Sequence, residues 1–152
     1  MTTTAMVFVP VGDLDNANDA LSNGLAFGSV NYHYNISKYE TTYGQYVEFL
    51  NAVAKSDPHG LFNPGMQQDL LLNGINRTGA DGTYSYTVAD PTSPNPTTNL
   101  NQNPEGSVNK PVNYVNYLDA IRFANWMHNG SSNDPTSTES GAYLITTAAL
   151  VG

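Results

Sequence analysis

From residue 43 the apolar positions Tyr43, Tyr46, Val47, Leu50, Val53 and Ala54 recur at the spacing of one helical face, with Gln45, Glu48, Asn51 and Lys55 opposite them. Thr42 followed by Gln45 has the capping-box spacing, in which a hydroxyl and a side-chain amide satisfy orphan N–H groups of a first turn. Asp57-Pro58 closes the pattern, because the residue before proline is driven out of helical geometry. A helix over roughly 42–55 is expected. A second is expected over roughly 117–128, with Asn116 as N-cap, Asp119 in the first turn and Gly130 as terminator. Its apolar stripe reads Tyr117, Ala120, Ile121, Ala124 and Met127, widened by Leu118, Phe123 and Trp126. So broad a stripe predicts burial on two sides.

Elsewhere the period changes to two. Residues 6–11 read as a strand, and Val30, Tyr32, Tyr34 and Ile36 place alternate side chains on one face of an extended segment over 28–36. Gly79-Ala-Asp-Gly82 separates segments 73–77 and 82–88, a hairpin with Tyr84, Tyr86 and Val88 on one face and Thr83, Ser85 and Thr87 on the other. Met66–Leu70 suggests a helical turn, and Gly141-Ala-Tyr-Leu-Ile145 a last strand. Between them run polar loops over 57–70, 90–108 and 131–140, the middle one carrying four prolines. These elements predict an α+β fold: two main helices packed on small, mostly antiparallel sheets with long irregular loops. Residues 1–152 are expected to form a single domain, a length that supports one real core.

Composition narrows the function. Hydrophobic residues make up 39% and charged ones 12%, with ten Tyr and five Phe, so the chain is expected to fold. A net charge of −8 with only five Lys and Arg excludes nucleic acid and anionic membrane surfaces as partners, since phosphates need clustered cations. There is no cysteine, hence no disulfide, thiolate ligand or Cys nucleophile within these residues. No apolar run approaches a membrane span. Met1-Thr-Thr-Thr-Ala5 lacks the features of a signal peptide, and a start cut from a longer precursor is the expectation. Asn-X-Ser/Thr triplets at Asn35, Asn76 and Asn129 are expected by chance in so Asn- and Thr-rich a chain.

Two blocks carry a family resemblance. Ile36-Ser-Lys-Tyr-Glu-Thr-Thr-Tyr-Gly-Gln-Tyr-Val-Glu-Phe-Leu50 is similar to the "I-x-K-Y-E-V-T-N-x-Q-Y-x-x-F-L" helix of the formylglycine-generating-enzyme (sulfatase-modifying-factor) family, with Thr41 and Tyr43 where Val and Asn are usual. The run Pro111-Val-Asn-Tyr-Val-Asn-Tyr-Leu-Asp-Ala-Ile-Arg-Phe-Ala-Asn-Trp126 resembles the family's "P-V-x-x-V-x-W-x-D-A-x-x-F-x-x-W", with Tyr117 for the first Trp. Phe8–Asp13, Asp57–Asn63 and Thr138–Leu144 fit the same order.

The resemblance implies a C-type-lectin-like fold. It also implies a reaction, oxidation of a substrate cysteine to formylglycine by oxygen on copper(I) held by two cysteine thiolates. Those cysteines lie in the later part of the family domain, which this chain is expected to lack, so no catalytic residue is carried over. The chain is accordingly expected to be a non-enzymatic binding or scaffolding module with a protein or glycan ligand, secreted, periplasmic or on the cell surface. The alternatives are an N-terminal fragment of a formylglycine-generating oxidoreductase and a self-assembling subunit of an extracellular filament or surface layer.

For a cofactor, Asp13, Asp15, Asn18 and Asp19 (with Asn16) offer hard oxygen ligands suited to calcium. The same residues also read as a solvated turn rich in Asx caps. His33, His59 and His128 share no ligand spacing. Tyr and Asn suit a sugar or peptide surface, and equally suit core packing. Arg122, inside the second helix, is expected to pair with a carboxylate.

Overall fold

The computed structural model describes residues 5–20, 26–68, 74–89 and 107–146. They fall into two compact units, Ala5–Glu40 and the residues from Thr41 onward. The described elements comprise three α-helices and small two-stranded antiparallel sheets, an α+β fold.

In the first unit, β1 (Phe8–Val11) pairs antiparallel with β4 (Tyr34–Ser37), placing Val9 opposite Ile36 and Val11 opposite Tyr34. A shorter pair, β2 (Asp19–Ala20) and β3 (Ala26–Phe27), lies between them in sequence. The extended segment expected over 28–36 becomes strand only from Tyr34. Ahead of it Gly28 adopts φ +104 and the chain bends at Asn31 and Tyr32, so Val30 gives its carbonyl to Asp15 N (3.4 Å) rather than to a ladder.

The second unit is organised by α1 (Tyr43–Val53). Its capping box forms as read from the sequence, with Gln45 N donating to Thr42 Oγ1 (3.3 Å) and Thr42 N donating to Gln45 Oε1 (2.9 Å). The bent-back Gln45 side chain is therefore buried rather than solvated. Tyr43, Tyr46, Leu50 and Val53 face inward, joined by Phe49, which the stripe had omitted. After α1 come α2 (Gly65–Gln68), β5 (Ile75–Thr78) and β6 (Ser85–Val88).

β5 and β6 form the expected hairpin, with Arg77 opposite Tyr86 and Thr78 opposite Ser85. Tyr86 is buried, while Ser85 and Thr87 are exposed, as the alternation requires. Asn51, assigned to the polar face of α1, docks that helix on the hairpin. Its Nδ2 donates to Tyr86 O (2.8 Å) and its Oδ1 accepts from Tyr86 N (3.0 Å), imitating a strand partner. The Tyr86 hydroxyl reaches back to Ala54 O (2.8 Å). Gly74, just before β5, lies against the Met66 carbonyl of α2, where a Cβ would collide with backbone. Gly74→Ala is therefore expected to lower the melting temperature by several degrees, on the order of 1–3 kcal/mol of overpacking. Calorimetry showing an unchanged transition would contradict this close approach.

α3 (Tyr117–His128) carries the predicted N-cap: Asp119 N donates to Asn116 Oδ1 (3.0 Å) and Asn116 N to Asp119 Oδ2 (3.1 Å). The predicted stripe is wrong by rotation. Tyr117 is 77% exposed and Ala120 is also outside, while Phe123 and Trp126 point inward with Asp119, Arg122 and Asn125. The two aromatics decide the face, because Phe49 packs edge-on against Phe123 (5.3 Å, 84°) and tilts against Trp126 (5.3 Å). Tyr46 stacks on Phe123 at 6.1 Å, closing an aromatic core between α1 and α3.

No strand forms over 141–145. That segment, with the 3-10 turn Pro135–Thr138 before it, is held instead by side chains of α3. Asn125 donates to Thr138 O (2.8 Å) and accepts from Tyr143 N (2.8 Å), Asn129 donates to Ser137 O and Ser140 O (2.8 and 2.7 Å), and Trp126 donates to Ser132 O (2.8 Å). Within 141–145, Tyr143 N is satisfied by Asn125 and Ile145 N by Glu139 O rather than by a neighbouring strand. Among the described residues no helix is long and apolar enough to cross a membrane.

Candidate functional site

Asp57, His59, Arg77, Arg122 and Glu139 of the second unit gather where the loop after α1 meets β5, α3 and the 3-10 turn. Asp57 starts the loop with φ +46, a left-handed conformation that a short carboxylate tolerates by bonding its own backbone. Its Oδ1 accepts from Leu61 N (2.7 Å) and its Oδ2 from Phe62 N (3.1 Å), folding residues 57–62 into a fixed turn. Arg77 on β5 brings Nη1 to 3.8 Å from Asp57 Oδ2, with its guanidinium 4.6 Å from the Phe62 ring and 4.4 Å from the Tyr84 ring.

Beside this lies a second cluster. Arg122 grips Glu139 with two bonds, Nε to Oε1 (2.8 Å) and Nη2 to Oε2 (3.2 Å), fulfilling the expected Arg–carboxylate pair. The Thr138 hydroxyl sits 2.8 Å from Glu139 Oε1 and 2.9 Å from Pro135 O, and its one proton serves either. His59 Nε2 approaches the same Oε1 at 3.3 Å. A histidine with no spacing motif thus joins a carboxylate eighty residues downstream. The predicted pairing of Arg122 pointed here, as did the family blocks Asp57–Asn63 and Thr138–Leu144, which contain His59 and Glu139; the periodic patterns assign neither residue a face.

Electrostatically the carboxylates divide. Hydrogen bonding from Arg122 holds Glu139 below the usual carboxylate range. Burial pushes Asp57 and Asp119 upward against the backbone N–H groups that favour their ionised forms. Burial likewise pushes the Tyr86 phenol up to about 12. Asp119 keeps one oxygen, Oδ1, buried with no hydrogen-bond partner.

The sign follows by linkage. Each raised aspartate contributes stability that is fully present below its unfolded pKa and is lost as pH rises through its folded pKa. The lowered Glu139 contributes stability present above its unfolded pKa and lost as pH falls through its folded pKa. Asp119→Asn keeps an oxygen for the cap and abolishes the proton linkage. Relative to the parent, it is expected to gain stability as pH rises above the ordinary carboxylate range, read from urea midpoints. A difference that shrinks with rising pH would contradict a raised Asp119.

The calcium candidates lie in the first unit, exposed. Asp13 (φ 68) and Asp15 (φ 61) take left-handed turn geometry, Asp13 O accepts from Asn16 N (3.3 Å), and Asn18 Oδ1 accepts from Ser29 N (3.2 Å). Asp19 borders Gly28. Among the described residues no three of His, Asp and Glu gather so as to hold a metal ion; Asp13 and Asp15 lie in turn geometry, and Asp19 opens β2. His33 and His128 are exposed and belong to neither charged cluster. The expected binding loop at 90–108 falls, up to residue 106, outside the described residues, as do 69 and 70 of the loop at 57–70.

A model of the sulfatase-modifying factor enzyme 1-like domain matches residues 1–148. The chain belongs to this family. No curated protein and no solved structure matches it. The membership agrees with the capped α1, the Asn116-capped α3 and the α+β architecture. The two-thiolate copper(I) site that the family resemblance implies cannot be built from these 152 residues. Copper(I) prefers soft thiolates, the chain has no cysteine, and His59 is turned onto Glu139.

Proposed function

We propose that this sulfatase-modifying-factor-like chain works as a non-catalytic binding module at or outside the cell surface, presenting loops to a protein or glycan ligand. The observation that carries this reading is the use to which its polar side chains are put. Asp57 bonds the turn 57–62, Glu139 is occupied by Arg122, and Asn125, Asn129 and Trp126 clasp residues 132–143. These groups immobilise irregular loops on a helical core, the arrangement that lets a loop surface recognise a ligand without a large ordering cost. A low content of charge and the absence of cysteine accord with it.

Glycan and peptide arrays, probed with and without calcium, test the reading. Binding that is lost when exposed residues of the 57–70 loop, such as Asn63, are substituted supports it; no specific binding in any arm refutes it. A second reading, the N-terminal part of a formylglycine-generating oxidoreductase, draws support from the family match over 1–148. A reading frame continuing after residue 152 into "L-P-T-E-x-E-W" would favour that reading.

A further inference from the structure

Four of the five cations in the chain are accounted for or remote: Arg122 is spent on Glu139, Lys38 lies over the Tyr39 ring, Lys110 buries its ammonium, and Lys55 stands exposed after α1. Arg77 differs. Its guanidinium is held in a fixed plane between the rings of Phe62 and Tyr84, yet its side chain is 30% exposed. Among the described residues its closest ion pair is the 3.8 Å approach to Asp57, beyond hydrogen-bond reach. Both Asp57 oxygens already accept backbone N–H groups. The Tyr86 phenolic oxygen, whose own proton goes to Ala54 O, also accepts a hydrogen bond from the Arg77 guanidinium. Most of its five N–H donors are unspent.

A guanidinium immobilised by stacking, with N–H donors to spare beyond Tyr86, offers a carboxylate a preorganised partner at small entropic cost. We infer that Arg77, framed by Phe62 and Tyr84, binds the carboxylate of a uronic-acid-bearing saccharide. The inference rests on the binding-module reading and names a ligand class for it. Net charge decides between acidic ligands. At −8 the chain repels a densely acidic peptide, whereas a uronic acid in a neutral saccharide brings one carboxylate among uncharged hydroxyls. Tyr84 adds a ring and a phenol of the kind that suit a sugar.

The test is calorimetric titration of the whole chain with a glucuronic-acid disaccharide, its neutral glucose counterpart, and an acidic peptide. In parallel, the ring resonances of Phe62 and Tyr84 in the unsubstituted protein are followed by NMR, a readout that needs no variant. Binding of the uronate alone is expected, with shifts at both rings. Arg77→Lys, which keeps charge and loses the planar fork, should weaken binding on the order of tenfold at a temperature where its circular dichroism shows it folded. The proposal is overturned by uronate binding no better than the neutral sugar, by equal binding in Arg77→Lys, by unmoved ring signals, or by preference for the peptide. Array binding that ignores Arg77 would overturn this inference and leave the binding-module reading standing.

Discussion

Phe49→Ala is expected to remove about 3–5 kcal/mol of folding stability, which for a chain of this size leaves little of the usual margin. Phe49 is fully buried and is the one ring that touches Tyr46 within α1 and both Phe123 and Trp126 across to α3. Its removal forfeits the transfer energy of the ring and three favourable aromatic geometries, and leaves a cavity between two helices. Those helices are pinned elsewhere, α1 by Asn51 to the hairpin and α3 by Asn125 to the 137–143 segment, so collapse onto the void is limited. Urea denaturation followed by tryptophan fluorescence reads the effect directly, because Trp126 lies in the same cluster. A loss below about 1 kcal/mol would mean that α1 and α3 do not share this core.

Glu139→Gln is expected to be the next most damaging change, roughly 2–3 kcal/mol. Breaking a fully buried ion pair costs about 3–5 kcal/mol, and the 35% exposure of the Glu139 side chain reduces that figure. The stranded partner is the reason for the loss: the Arg122 side chain is 4% exposed and has no other carboxylate bonded to it among the described residues. The substitution also removes the anchor of the Pro135–Thr138 turn, so amide exchange over 132–143 should accelerate more than exchange in α1. A double substitution, Arg122→Met with Glu139→Gln, should recover part of the loss, since no charge is left unpaired. A double variant as unstable as the sum of the singles would show that the pair is not energetically coupled.

The sequence revealed local structure better than tertiary partnership. Thr42/Gln45 and Asn116 mark helix starts by bonds made within three residues, so their spacing is enough, and both caps are present. The Tyr84/Tyr86 alternation similarly needs only the strand period. The face of α3 was misread because Ala120, Ile121 and Ala124 count as apolar, although Phe123 and Trp126 bring far more surface to the core. Asp119, Arg122 and Asn125 then lie inside, each with a polar partner that no helical period reveals. The strand expected at 141–145 did not form: Tyr143 N bonds the Asn125 side chain of α3 and Ile145 N bonds Glu139 O, neither a strand partner. At the charged site, Arg122 was recognisable as a paired cation from the scarcity of charge. His59, Asp57 and Arg77 were not, since the fold alone brings segments 57–62, 75–78 and 135–139 together.

We propose that this family member, as the 152-residue chain, does no copper-dependent oxidation. The most direct measurement supplies the purified chain with copper(I), oxygen and a cysteine-containing sulfatase-type peptide, then examines the peptide by mass spectrometry and aldehyde labelling. The account predicts intact cysteine at every copper concentration. Formylglycine produced at the cysteine above a protein-free control would contradict it.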